Sequence, residues 1–317
     1  MTELVAADIG GTHARFALAR IDAGQVALEE PVVLRCADHA SLAEAWATFG
    51  RMIARPLPRA AAIAVACPVA GDTLKLTNNP WVIRPAVLGI ELGLDSYILI
   101  NDFEAVAHAV GACGPDQFQH VCGPDVPLPG SGVISVIGPG TGLGVAMLLR
   151  DGGKVLASEG SHGDFAPVDA IDDAILAHLR RQFGRVSTER VVSGPGLAAI
   201  YAAMAAEAAP PDDTALWQQA LSGTAAPAVA ALTRFCMALG SFAGNMALAH
   251  GAGGVVIAGG LGARLAGVLP QSAFAERFVA KGRFLPMLQG LPVKLIRHAQ
   301  PGLLGAVTAF ARHRNMP

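Results

Sequence analysis

Apolar and polar positions alternate along this chain in blocks whose period changes. Residues 4–9 (LVAADI) are apolar except for Asp8, the pair Gly10-Gly11 follows, and 14–19 (ARFALA) is apolar again except for Arg15. That order predicts a strand, a tight turn and a second strand, with a third strand over 26–34. In SLAEAWATFGRMIAR the apolar residues recur at helical spacing after Ser41, which predicts a helix with Ser41 as its N-cap. AAAIAVACP is a short apolar run stopped by Pro68 and reads as a buried strand. SYILINDFEAVAHAV predicts a strand to residue 101 and a helix opening at Asp102 or Phe103. VISVIGPGTGLGVAMLLRD then repeats the first theme of apolar run, glycine turn, apolar run.

Beyond this the pattern turns helical. VDAIDDAILAHLRRQF, GPGLAAIYAAMAAEA and APAVAALTRFCMALGSFAGNMALAH are predicted helices, GGVVIAGGLG and PVKLI predicted strands, and a last helix follows Pro301. The Pro- and Gly-rich stretch GACGPDQFQHVCGPDVPLPGSG places a boundary near residue 110. The two strand–glycine turn–strand units, at Asp8 and at Gly138, hint at duplicated halves. The expected class is α/β in two lobes.

Composition narrows this. A chain of 317 residues holds two domains or one large one, and 52% hydrophobic with 15% charged residues allows a sizeable core. The net charge is −2 with no basic cluster, so no nucleic-acid partner is expected. Glu3 and Asp8 interrupt any apolar leader, so no secretory signal is expected. From Cys236 to Gly262 there is no Asp, Glu, Lys or Arg, and hydropathy alone would allow a membrane span. AHGAGG lies in its middle, so we read a buried helix to about residue 250, a turn and a buried strand, and no membrane. Cys36, Cys67, Cys113, Cys122 and Cys236 form no CxxC pair, which fits reduced thiols, small core residues and a cytoplasmic protein.

The glycine turns carry the first chemistry. A strand ending in Gly10-Gly11 can turn without a Cβ and bring backbone N–H groups close to an anion. Thr12 adds a hydroxyl and Arg15 a cation. Asp8 would repel a phosphate unless a cation stood between them, which Mg²⁺ supplies, bound directly or through water. The competing reading is a plain hairpin with a solvated Asp. The second turn sets Gly138, Gly140, Gly142 and Gly144 at alternate positions around Thr141. It lacks both dinucleotide-fold spacing and a Walker A lysine. Two such turns suggest a phosphate chain held from two sides, and Gly259-Gly260 would admit a flat ring against bare backbone.

Asp102, at the tip of LINDF, is either a helix cap or a general base for a substrate hydroxyl. SEGSHGDFAP brings Glu159 and His162 together, and STERVVSGPG supplies Glu189. Carboxylates, an amide and an imidazole suit a ring of sugar hydroxyls. Metal ligation by His162 with Glu159, and a surface pairing of Glu189 with Arg185 or Arg190, stand as alternatives. Asp164, Asn78, Asn79 and Trp81 are vaguer candidates for the same lining.

DIGGTHAR, ACPVAG, LTNNPW, INDFEAVA, GPGTGLGVA, SEGSHGDFAP, ERVVSGPGL, VVIAGG and PGLLGA occur in this order over essentially the whole chain, from Asp8 to Ala306. Together they resemble the bacterial glucokinases, ATP-dependent sugar kinases of the actin/hexokinase-like superfamily. The resemblance implies a two-lobed actin/hexokinase-like (ribonuclease H-like) fold, with a cleft between a small α/β lobe and a larger α+β lobe. The small lobe would hold residues 1–110 with the C-terminal helix, 301–317, packed back on it, and the large lobe 111–300. It further implies phosphorylation of the 6-hydroxyl of glucose by ATP with Mg²⁺, and a homodimer. Asp102 would be the catalytic base, and Asn101, Glu159, His162 and Glu189 the glucose contacts. Ala7, Asp8, Ile9, Gly10, Gly11 and Thr12 match the ATP phosphate loop. Gly138, Gly140, Thr141 and Gly142 would form the second phosphate turn, and Gly259 and Gly260 would face adenosine.

His13 stands where many members carry Asn, a departure on the flank of the phosphate loop. The cysteine-rich zinc motif of the repressor-linked sugar kinases is absent, so no zinc is expected. Alternatives on the same fold are a kinase for mannose or fructose, a sugar-sensing regulator, and an actin-like ATPase.

Overall fold

The computed structural model describes residues 1–76, 79–204 and 211–314, and the chain divides into two units, Met1–Cys113 with His298–Pro317, and Gly114–Arg297. Asn78, residues 205–208 of the helix expected over GPGLAAIYAAMAAEA, and the last three residues of the chain lie outside the described residues.

The first unit is built on β1 (Thr2–Ile9), β2 (His13–Asp22), β3 (Gln25–Leu28), β4 (Val32–Arg35) and α1 (Leu42–Ile53). It continues through β5 (Ala60–Val65), β6 (Leu74–Lys75), β7 (Val82–Ile83), α2 (Pro85–Leu92), β8 (Ser96–Asn101) and α3 (Asp102–Ala112). The sheet runs β3-β2-β1-β5-β8, with β4 also on β2. The hairpin β1–β2 is antiparallel, whereas β1, β5 and β8 are mutually parallel. Both faces are covered, which is why the strands read as unbroken apolar runs. Val5, Ala7, Ile9, Ile63 and Val65 join one cluster with Phe16, Trp46, Phe49 and Trp81. Leu4, Ala6, Ala62 and Ala64 join another with Ala105 and with Leu303, Val307 and Phe310 of the C-terminal helix, Pro301–His313. Small side chains on that second face let the C-terminal helix lie against α3, and Gly305 meets the carbonyl of Ala105 with no room for a Cβ.

Ser41 caps α1 as expected, its side chain accepting from Glu44 N–H. The strand expected over 26–34 is two strands, because Glu29-Glu30-Pro31 interrupts it and proline has no N–H for a ladder. The pieces pair in turn with opposite ends of β2.

The second unit opens with β9 (Phe118–Cys122), β10 (Val133–Pro139), β11 (Leu143–Leu149) and β12 (Lys154–Ser158). Helices α4 (Ala170–Phe183), α5 (Gly194–Met204), α6 (Asp213–Ser222) and α7 (Ala226–His250) follow. It closes with β13 (Gly254–Ile257), α8 (Gly259–Arg264), α9 (Phe274–Val279), α10 (Leu285–Gln289) and β14 (Val293–Ile296). Its sheet runs β12-β11-β10-β13-β14-β9. Strands β10 to β12 form an antiparallel meander, and β10, β13 and β14 are parallel, so both units repeat one plan.

By length and composition α7 could cross a membrane. Its buried face, including Leu232, Phe235, Leu239 and Phe242, belongs to the core of this unit. GGVVIAGGLG, expected as a strand, stops at Ile257 and opens α8 at Gly259. Cys36, Cys67 and Cys236 are buried, whereas Cys113 and Cys122 are only half-buried and so are not full core residues.

Candidate active site

In the first unit the parallel register sets Ile9 beside Val65 and Val65 beside Asn101, so β1, β5 and β8 end level. At about 4.8 Å per strand, Ile9, which leads into the first hairpin, and Asn101 are roughly 10 Å apart at one end of the sheet. The carboxyl ends of parallel strands are where α/β sheets hold ligands.

Gly10 N–H donates to His13 O at 3.0 Å and closes the hairpin. Since His13 serves through its backbone, closure does not depend on its side chain. Gly10 O accepts from Asn79 Nδ2 at 3.1 Å and from the Cys36 thiol at 3.5 Å. Asn79 Oδ1 in turn accepts from Trp81 N–H at 2.9 Å. Asn79 and Trp81 are buried, so they brace the hairpin and the core rather than line a sugar site. Ala7 and Ile9 are also fully buried, and their side chains are scaffold. The exposed tip is Thr12 with His13, flanked by half-buried Gly10 and Gly11.

Asp8 faces Arg15 across the β1–β2 ladder, with Arg15 Nη1 at 3.7 Å from Asp8 Oδ2. A Cβ built on Gly302 would lie 2.6 Å from the same oxygen, so the first turn of the C-terminal helix abuts this carboxylate. Its side chain keeps 21% of its surface, and desolvation pushes its carboxyl above the ordinary range while Arg15 opposes the rise. A plain hairpin with a solvated Asp is therefore incorrect, and Arg15 leans on Asp8 rather than standing apart from it.

Asn101, not Asp102, provides the N-cap of α3. Its Oδ1 accepts from Phe103 N–H at 2.9 Å and Glu104 N–H at 3.1 Å, and its Nδ2 donates to Cys67 O at 3.3 Å. Asp102 is the first helical residue, half-buried, with Oδ1 at 2.9 Å from Phe103 N. Burial and then the charge of Asp102 raise the neighbouring Cys67 thiol.

The second unit mirrors this edge. Gly138 lies in the ladder opposite Gly144, and Gly140, Thr141 and Gly142 form the turn, closed by Gly140 N–H to Gly142 O at 2.8 Å. Ala258 N–H donates to Ile137 O at 2.8 Å, bringing the third glycine cluster alongside. Gly259 has φ +77°, and a Cβ there would lie 2.7 Å from Pro139 O, so only glycine fits. Gly260 faces open space.

Glu159, His162 and Glu189 converge. His162 Nε2 is 3.7 Å from Glu159 Oε2 and 3.9 Å from Glu189 Oε1. Glu189 Oε2 accepts from Leu143 N–H at 3.0 Å. The alternative pairing of Glu189 with Arg185 or Arg190 is therefore incorrect. Arg185 binds Asp164 at 2.6 Å, and Arg190 stacks over Phe183 at 4.0 Å. Among the described residues no group of three or more His, Cys, Asp or Glu side chains is arranged to hold a metal ion. An imidazole between carboxylates, all reachable from solvent, can hydrogen-bond several hydroxyls at once.

The buttresses of these turns, Asn79 on Gly10 and Glu189 on Leu143, lie in the motifs LTNNPW and ERVVSGPGL, but nothing in the sequence signalled that they brace the turns.

The family model for glucokinase matches residues 5–313. A curated relative from Zymomonas mobilis, named glucokinase, is 56% identical over 98% of this chain and 98% of its own length. The crystal structure of a glucokinase from an Antarctic psychrotroph superposes with TM-score 0.84 at 35% identity, covering 98% of each chain. A ROK family glucokinase from Streptomyces griseus, solved with glucose and AMPPNP, matches in fold at TM-score 0.65 and 18% identity over 98% of this chain and all of its own.

Proposed function

The chain belongs to the glucokinase family, and from that premise we propose that it transfers the γ-phosphoryl group of ATP to the 6-hydroxyl of glucose, with Asp102 as the base. The fold is the two-lobed actin/hexokinase-like one of its structural neighbours. The observation that carries the reading is the placement of Asp102 at the end of β8, level with the first glycine hairpin and at the start of a helix capped by Asn101.

In the proposed step the sugar oxygen forms a bond to the γ-phosphorus. The bond from that phosphorus to the β,γ-bridging oxygen breaks, the electron pair leaves with ADP, and the hydroxyl proton passes to Asp102. Transfer of this kind has a loose transition state, so positioning and charge neutralisation dominate. Glu159, His162 and Glu189 bind the sugar hydroxyls, and Asn101 holds α3, and with it Asp102, in place. The hairpin at Gly10, Gly11 and Thr12 and the turn at Gly140, Thr141 and Gly142 receive the phosphates. Gly259 and Gly260 leave bare backbone for the adenosine.

Asp8 fits a role toward Mg²⁺. It is a single desolvated carboxylate beside the phosphate hairpin, suited to holding the ion through water rather than by a full set of ligands. The ion, when bound, neutralises charge on the phosphate oxygens.

A coupled assay for glucose 6-phosphate, with ATP, Mg²⁺ and glucose each omitted in turn, tests the reading. Product is expected only when all are present. Equal or faster turnover of mannose or fructose would replace glucose as the substrate, and hydrolysis of ATP that ignores sugar would overturn the assignment.

A further inference from the structure

The segment 187–194 touches both the sugar-binding trio and the second glycine turn. On one side Thr188 N–H donates to Gly163 O at 2.9 Å, and Ser187 bridges to Asp164, which fixes the segment to the loop bearing Glu159 and His162. On the other side it grips the turn at both ends. Gly194 N–H donates to Gly140 O at 2.7 Å, and Glu189 Oε2 accepts from Leu143 N–H at 3.0 Å. The remaining oxygen of Glu189 faces His162 at 3.9 Å. A Cβ built on Gly142 would stand 2.5 Å from Glu189 Oε2, so a side chain there would displace the carboxylate.

We infer that Glu189 is a positioning residue that couples sugar binding to the phosphate-receiving turn. One carboxylate oxygen holds the turn while the other completes the sugar site. This rests on the proposed function, in which the trio binds glucose and the turn binds phosphate. A sugar that fixes the Glu189 carboxylate also fixes Leu143 and the turn, so nucleotide meets a preformed receptor. By reciprocity, nucleotide on the turn steadies the carboxylate for sugar. The Leu143–Glu189 hydrogen bond lies wholly within one unit.

The test measures each ligand alone and in the presence of the other, by calorimetry with glucose and the non-hydrolysable analogue AMPPNP. The parent should show mutual tightening. Gly142→Ala, placed in the phosphate turn, should weaken glucose binding measured without nucleotide by about fivefold or more. Glu189→Ala should weaken AMPPNP binding measured without sugar, and should bring the mutual tightening close to none. The double variant should lose less than the two single losses combined, since removing the carboxylate removes the clash. Glu159→Ala should weaken glucose alone and leave AMPPNP binding without sugar at the parental value.

If Gly142→Ala binds glucose like the parent, or Glu189→Ala retains the parental mutual tightening, the coupling role is wrong while the kinase reading stands. If the parent itself binds no glucose, both fall.

Discussion

Acid should loosen the helix that presents Asp102, and His108 is the residue that makes it do so. His108 lies on α3, buried, with Nδ1 at 3.2 Å from Arg312 Nη1 of the C-terminal helix and Nε2 at 4.0 Å from Glu104. Burial, and then the charge of Arg312, lower its pKa from 6.5 to about 4. The folded state therefore keeps the ring neutral between those values, while the unfolded chain takes up the proton. Stability from this group is complete above pH 6.5 and is lost as the pH falls toward 4. At 1.36 kcal/mol per tenfold in proton affinity, the loss at pH 5 is about 2 kcal/mol. The perturbation is His108→Gln, which retains an acceptor for Arg312 and cannot titrate. Trp46 and Trp81 belong to the first unit and Trp217 to the second, so a Trp217→Phe background makes the fluorescence report the first unit alone. Urea unfolding at pH 7.5 and at pH 5, in parent and variant, cancels every other titration. The stability gap between them should narrow, or reverse, by about 2 kcal/mol on acidification. Parallel pH profiles would show that His108 is protonated in the folded protein and refute the argument.

In the second unit, Asp169 caps α4 and binds Arg234 at 2.6 Å and the buried Arg277 at 2.5 Å. The Asp172 backbone N–H and then these guanidiniums hold its carboxyl at about 2. Its contribution is present above the ordinary carboxylate range and lost as pH falls through about 2. Asp169→Ala should cost about 1–2 kcal/mol, the range for a lost helix cap and charged hydrogen bonds on a partly exposed carboxylate, because Asp172 stays 3.5 Å from Arg277. Denaturation followed through Trp217 checks this, and a loss under about 1 kcal/mol would make the cluster a surface pair in effect. Asn79→Ala removes the amide that holds Gly10 O. It should raise the KM for ATP about tenfold, or 1.4 kcal/mol, with the glucose KM changed far less, and steady-state kinetics in both substrates separates the two.

Strands and glycine turns were legible because each is written locally. LVAADIGGT and VISVIGPGTG change from apolar run to glycine where the chain turns, and Ser41 precedes an amphipathic helix. The break at Pro31 and the short helix at Gly259 were missed because apolar residues lie on both sides and neither is long enough to show a period. For the site, the sequence offered the carboxylates but not their neighbours. Whether Asn101 or Asp102 caps α3 depends on one residue of register at the helix start. The contact of Glu189 with Leu143 spans a long stretch of chain and follows only from how the turn at 188–190 and the hairpin β10–β11 pack. The burial of Asp8 was not legible because the C-terminal helix that abuts it is nearly the whole chain away.

The most direct measurement on the central claim is turnover and glucose binding side by side in Asp102→Asn. The substitution keeps the size of the side chain and removes the acceptor of the hydroxyl proton. Turnover should fall by about 10²-fold or more, while calorimetry shows glucose bound with nearly parental affinity. Turnover within a few-fold of the parent would contradict the account, because the hydroxyl would then be losing its proton to some other group.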